Sequence, residues 1–155
     1  MDTTTAANIF RTTLRVRYAE TDQMGVVYYA NYFIWFEIGR VELLRSLGFS
    51  YQQMEAEDDC FIPVVDTSCR YKAPARYDEE LELETRILHM RPSVLKFGYR
   101  LLRADGSEGP PTLLAEGESV HVLTDRTMQK RTLPEKYAAA IRATMAGVEA
   151  DVHPK

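Results

Sequence analysis

The chain predicts an α+β fold: one long buried helix, a curved antiparallel sheet of about five strands wrapped around it, and a short C-terminal helix. Three observations carry that reading. Between Tyr28 and Phe36 the chain crowds Tyr28, Tyr29, Tyr32, Phe33, Trp35 and Phe36 into one stretch, too many aromatics for all of them to face water. From Cys60 to about Thr124 the apolar residues instead alternate in period two, the mark of half-buried strands. One buried helix followed by consecutive long strands is the signature of an antiparallel sheet curled on that helix.

Each element follows in order. Residues 1–9 are polar and Thr/Ala-rich and are expected to be flexible. From Phe10 to Tyr18, Leu14, Val16 and Tyr18 oppose Thr13, Arg15 and Arg17, which predicts a strand. Ala19–Gly25 carries Thr, Asp, Gln and Gly and reads as a loop. Tyr29–Gly48 is the long helix: Tyr29, Phe33, Phe36, Arg40, Leu44 and Leu47 recur at helical steps, and Gly48 is a natural stop. Its first half is apolar nearly all round, so it is expected to be enclosed by protein. Phe49–Asp58 reads as a short, more polar connection. Strands are then expected over Phe61–Tyr71, Leu81–His89, Val94–Arg103 and Leu113–Leu123. Turn signals separate them at Ala73-Pro74-Ala75, Arg91-Pro92 and Asp105–Pro111. Thr132-Leu133-Pro134-Glu135 combines a capping box with Pro in the first turn and predicts a helix to about Met145. The segment 147–155 is expected to be flexible.

With 155 residues the chain fits one domain, placed here at 10–146, large enough for a core without disulfides or a metal. Its net charge of −4 and pI near 5.4, without a basic stripe, argue against a nucleic-acid partner. Cys60 and Cys69 fall in one extended region, where nine residues span roughly 30 Å. That is too far for a disulfide, and two buried free thiols fit a cytoplasmic setting. No apolar run reaches the length of a membrane span. A sheet wrapped on one helix leaves an unpaired edge strand, and pairing it with a second copy predicts a homodimer, or a dimer of dimers.

The candidate chemistry lies just before the long helix. Asp22 stands three residues ahead of Gly25 and about seven ahead of the helix. Alone in a polar loop it is an ordinary solvated acid. Beside a helix start it gains neighbours, because the first N–H groups of a helix are unpaired and can hold an oxyanion or an attacking carboxylate. An acid beside such donors, facing an aromatic wall, is suited to attack a bound carbonyl. Glu37 and Arg40, three residues apart on the helix, read either as an ion pair or as a second candidate acid with its partner. Glu37 lies two turns in, away from the start donors, so Asp22 leads. His89, His121 and His153 have no metal-ligand spacing, and Cys60 and Cys69 have no activating His nearby. No metal site is assigned, and a GxSxG elbow is absent. Arg70, Lys72, Arg76, Arg91, Lys96, Arg100 and Arg103 are cations near strand ends, none assigned to a ligand.

The segment Tyr18-x-x-x-Asp22-x-x-Gly25-Val26-Val27-Tyr28-Tyr29-x-Asn31-Tyr32, continuing to Phe36-Glu37-x-Gly39-Arg40, resembles the signature of the hotdog-fold thioesterases. The nearest branch is that of 4-hydroxybenzoyl-CoA thioesterase and the short acyl-CoA thioesterases of bacteria. The resemblance extends through Pro63-Val64-Val65, Tyr71-Lys72-x-Pro74 and Tyr77-Asp78-Glu79-Glu80-Leu81, roughly residues 12–135. It implies a hotdog fold paired into dimers and an acyl-CoA thioester as substrate, with no cofactor. Asp22 matches the catalytic aspartate, nucleophile or general base, and the backbone N–H of Tyr29 matches the donor that polarises the carbonyl. Tyr18, Gly25, Val26, Val27, Tyr28 and Asn31 fall at implied substrate-binding positions. Many short-chain members carry His where this chain has Tyr29, and a tyrosine there points to an aromatic or bulky acyl group. The competing expectations are an acyl-carrier-protein thioester as substrate and a non-catalytic acyl-CoA binder. A hotdog dehydratase would need a His that the motif lacks.

Overall fold

A computed structural model describes residues 9–106 and 108–152. Strand β1 (Phe10–Arg15) opens the chain. Helices α1 (Asn31–Ser46) and α2 (Tyr51–Asp58) follow. Strands β2 (Val64–Tyr71), β3 (Glu80–Arg91), β4 (Val94–Arg103) and β5 (Thr112–Val122) come next, then helix α3 (Glu135–Val152). The five strands form one antiparallel sheet in the order β1-β3-β4-β5-β2. β2 is therefore carried to the far edge.

The core lies between the concave face of this sheet and α1. Leu83 and Ile87 of β3, Leu95, Phe97 and Leu101 of β4, and Leu114 of β5 are all buried beneath Tyr32, Trp35, Phe36 and Leu44 of the helix. Phe36 stacks flat on Tyr99 with ring centroids 4.2 Å apart. Gly39 lets the helix backbone settle on β3, since a Cβ there would lie 2.8 Å from Leu83 Cδ2 and closer still to Thr85 Oγ1. α2 starts at Ser50, whose hydroxyl accepts the Gln53 N–H at 3.3 Å.

Several expectations change. α1 begins at Asn31, not Tyr29, because the residues before it are held in a turn by the sheet and the preceding loop. It is not enclosed all round: Ile34 and Ile38, one turn apart, are 52% and 38% exposed and form an open stripe, and Tyr29, just before the helix, is 60% exposed. β1 ends at Arg15, where the chain leaves the sheet for a 3₁₀ turn at Tyr18–Glu20. β2 begins at Val64, so Cys60 lies ahead of the strand. Cys60 is buried while Cys69 is only half-buried, and both thiols are free. Pro134 is not inside the first turn of α3: its carbonyl accepts the Ala138 N–H at 3.0 Å, and Thr132 supplies no capping bond among the described residues. α3 runs past Met145 to Val152. Residues 1–8 and 153–155, including His153, lie outside the described residues. Among those described, no helix is long and apolar enough to cross a membrane.

Candidate active site

The segment between β1 and α1 is a tight hairpin. The Asp22 N–H donates to the Val26 carbonyl at 2.9 Å and the Asp22 carbonyl accepts the Gly25 N–H at 3.0 Å. Thr21 and Val27 close it as an antiparallel bridge. Gly25 has φ +82°, in the left-handed region where a Cβ is strained, so glycine is what this turn requires. One Asp22 oxygen, Oδ1, accepts the Met24 N–H at 2.9 Å and the Val26 N–H at 3.4 Å. The other oxygen makes no hydrogen bond among the described residues. Asp22 is half-buried, held by its own turn, with one oxygen left for another partner.

This corrects the expected source of its support. The donors that hold Asp22 belong to the hairpin, not to the helix start. Nor does Gly25–Tyr29 present a row of open N–H groups. Gly25 and Val26 donate back to Asp22, Val27 donates to the Ala75 carbonyl at 2.8 Å, and Tyr28 donates to the Glu20 carbonyl at 2.9 Å. The first turn of α1 is tight, with Asn31, Tyr32 and Phe33 N–H groups bonding to the carbonyls of Tyr28, Tyr29 and Ala30. The N–H groups of Tyr29 and Ala30 are left without an acceptor among the described residues. The N-cap, Ala30, has no side chain to satisfy them. The open donors therefore sit where the hairpin carrying Asp22 meets the helix.

The other expected site residues separate into two groups. Tyr28 and Tyr29 present exposed rings 4.8 Å apart, next to the open donors. Val26 is half-buried on the turn. The rest are spent elsewhere. Val27 is a core residue. The Asn31 side-chain amide donates to the Glu20 carbonyl at 2.8 Å, which makes it a strut between helix and loop. Tyr18 packs its ring edge-on against Tyr77 at 5.5 Å and makes no hydrogen bond to Asp22. Glu37 is exposed, and the ion pair with Arg40 does not form. Arg40 is 8% exposed and donates instead to the hydroxyls of Tyr51 at 3.2 Å and Tyr99 at 3.1 Å.

Two residues that sequence reasoning passed over reach this region. The Tyr71 hydroxyl donates to the Tyr29 carbonyl at 2.9 Å. Its ring also meets those of Tyr29 and Tyr32 edge-on, at 6.4 and 4.9 Å, continuing the aromatic wall from α1 onto the edge strand β2. Its only sequence signal was its place in the Tyr71-Lys72-x-Pro74 match. Glu20 is buried beside Trp35, though in sequence it is merely an acid in a polar loop. His121 is wholly buried, and burial together with the nearby Arg40 charge pushes its imidazole down to about 4. Among the described residues no cluster of three His, Cys, Asp or Glu side chains is placed to hold a metal. Of the cations near strand ends, Lys72, Lys96, Arg100 and Arg103 are engaged with Glu116, Glu118, Glu84 and Glu79.

Residues 24–110 match the family model of the thioesterase superfamily. The chain is 39% identical over 135 residues to the acyl-CoA thioester hydrolase YbgC of Escherichia coli O6:H1, covering 86% of this chain and 96% of that protein. It superimposes on the crystal structure of a DHNA-CoA thioesterase from Staphylococcus aureus with a TM-score of 0.77 and 29% identity, covering 92% and 91% of the two chains. The 4-hydroxybenzoyl CoA thioesterase of Pseudomonas sp. strain CBS-3 shares the fold, with a TM-score of 0.76 at 20% identity over 86% and 99% of the chains.

Proposed function

The chain belongs to the thioesterase superfamily, with a hotdog fold, and is a thioester hydrolase; from that premise we propose that it cleaves acyl-CoA thioesters to the free acid and CoA, using Asp22 and the Tyr29 N–H. One observation carries the assignment of residues. Asp22 has one oxygen pinned by its own turn and one free, on a hairpin that runs directly into the first unspent N–H groups ahead of α1. The acyl-CoA substrate rests on the relatives, YbgC among them.

The geometry suits a thioester. The carbonyl oxygen takes the Tyr29 N–H, a donor of the kind typically worth ~3 kcal/mol as the oxyanion develops. The free oxygen of Asp22 then bonds to the carbonyl carbon, the C–S bond breaks, and CoA leaves as a thiolate. Water hydrolyses the resulting anhydride and returns the carboxylate. In the general-base variant, Asp22 takes a proton from the water that attacks the same carbon. Either route yields acid and thiol, and a thiolate is a good enough leaving group to depart with little acid help. The exposed rings of Tyr28, Tyr29 and Tyr71 beside the donor favour an aromatic or bulky acyl group. The enzyme is proposed to work in the cytoplasm as a homodimer, through β2 and the exposed stripe of α1.

The test is hydrolysis of a panel of aromatic and straight-chain acyl-CoAs by wild type and Asp22→Asn. The variant is expected to lose at least ~100-fold in kcat. Near-normal turnover by it would remove Asp22 from the mechanism. A wild type that hydrolyses none of the panel would remove acyl-CoA thioesters as its substrate class.

A further inference from the structure

Two residues ahead of Asp22, Glu20 is 7% exposed. A carboxylate at that depth is costly unless several donors meet it. Three do. The Trp35 indole Nε1–H, from the first turns of α1, lies 3.0 Å from Oε2. The Arg17 backbone N–H lies 2.8 Å from Oε1, and the Arg17 guanidinium reaches Oε2 at 3.4 Å. The backbone of the same residue is equally engaged: its carbonyl accepts the Tyr28 N–H at 2.9 Å and the Asn31 amide at 2.8 Å. Glu20 is thus bonded to the exit of β1, to the residue before Tyr29, and to α1 at two points.

Resting on the reading of Asp22 and Tyr29 above, we propose that Glu20, through Trp35, is a positioning residue for thioester cleavage: it holds the hairpin that carries Asp22 in register with the helix start that carries the Tyr29 N–H. Two peptide bonds separate Glu20 from Asp22, and one separates Tyr28 from Tyr29. Any shift of Glu20 relative to α1 therefore moves the acid relative to the donor. Reacting groups tolerate little of that, since a misplacement of about 1 Å can cost ~100-fold in rate. The carboxylate touches neither substrate nor reacting atoms. What the arrangement needs from it is an acceptor in the right place, and a carboxamide oxygen can supply one.

Trp35 is the chain's single tryptophan, so its fluorescence reports the bond to Glu20 independently of turnover. Glu20→Ala is expected to shift the Trp35 emission and to lower kcat by about 30-fold, with KM changed by no more than about twofold. Glu20→Gln should recover most of the lost kcat. Trp35→Phe, which keeps an aromatic ring and removes the indole donor, should lower kcat about fivefold at similar KM. It also carries the test if Glu20→Ala fails to fold. Wild-type kcat in Trp35→Phe, alongside an inactive Asp22→Asn, would overturn this proposal and leave the Asp22 assignment standing. So would a Glu20→Gln variant as impaired as Asp22→Asn, since the charge itself would then act in the reaction. A fully active Asp22→Asn would instead remove the premise.

Discussion

At the scale of single residues, the most constrained group outside the Asp22 hairpin is His121. Arg40 can only donate and the Ile62 carbonyl can only accept, so the chain of hydroxyls between them has a direction. Arg40 donates to the Tyr99 hydroxyl, Tyr99 to Ser119 at 2.6 Å, and Ser119 to His121 Nε2 at 2.8 Å. Nδ1–H then donates to the Ile62 carbonyl at 3.2 Å. The imidazole is therefore neutral with its proton on Nδ1, and the Ser119–His121 contact belongs to the packing of the core. Folding lowers this group from 6.5 to about 4. Between those values the unfolded chain binds the proton and the folded chain does not, so stability falls as pH drops from about 6.5 towards 4. The loss is about 3 kcal/mol. Urea unfolding of wild type and His121→Gln between pH 4 and 7 should show the wild type losing that much more than the variant. Parallel pH profiles would refute it.

At the scale of elements, the approach of α1 to β3 depends on Gly39. A glycine within a helix costs roughly 1 kcal/mol relative to alanine, so Gly39→Ala would stabilise an open helix. Here the added methyl would run into Leu83 and Thr85, which are wholly buried on a central strand and have no room to retreat. Overpacking of this kind costs about 1–3 kcal/mol and outweighs the helix gain. Gly39→Ala is expected to lower stability by about 1–2 kcal/mol, with Tm falling by roughly 2–4 °C for each. Gly39→Ala combined with Thr85→Ala should recover part of the loss. Thr85 is a suitable partner, since its hydroxyl is buried without a hydrogen bond among the described residues. A stabilised single variant would show that the helix can lift off the sheet at little cost.

At the scale of the whole molecule, the surface is uneven. β2 is exposed on both faces along most of its length, with Val64, Val65 and Tyr71 in water. An edge strand of that kind, and an open stripe such as Ile34 and Ile38 on α1, are surfaces that chains bury against a second copy. The expected species is a dimer of twice 17.8 kDa at micromolar concentration. Ile34→Lys and Val65→Lys should each weaken it at least about tenfold, since each places a charge where the contact excludes water. Sedimentation velocity across a dilution series is the measurement. A monomeric wild type would remove the dimer reading, and two fully dimeric variants would move the interface elsewhere.

Local pattern carried a great deal of this protein. Period-two alternation in Leu81–His89, helical spacing from Phe33 to Leu47, and the Asp22–Gly25 turn are all properties of short stretches, because propensity and periodicity act between near neighbours. They determined the α+β class and the place to look for chemistry, and the motif around Asp22 determined the family. Which polar groups are already satisfied is a different question. Val27 donates to Ala75 and Tyr71 to Tyr29, partners 48 and 42 positions apart, and nothing in the spacing of either residue marks the other. A helix start offers open N–H groups in general, but only the folded chain shows that Tyr29 and Ala30 keep theirs among the described residues while Gly25 to Tyr28 have spent theirs. The same accounting turned Arg40 from half of an ion pair into a donor to two tyrosines, and Glu20 from a loop acid into a buried anchor. Backbone pattern is written locally, whereas hydrogen-bond partners are chosen after distant segments meet.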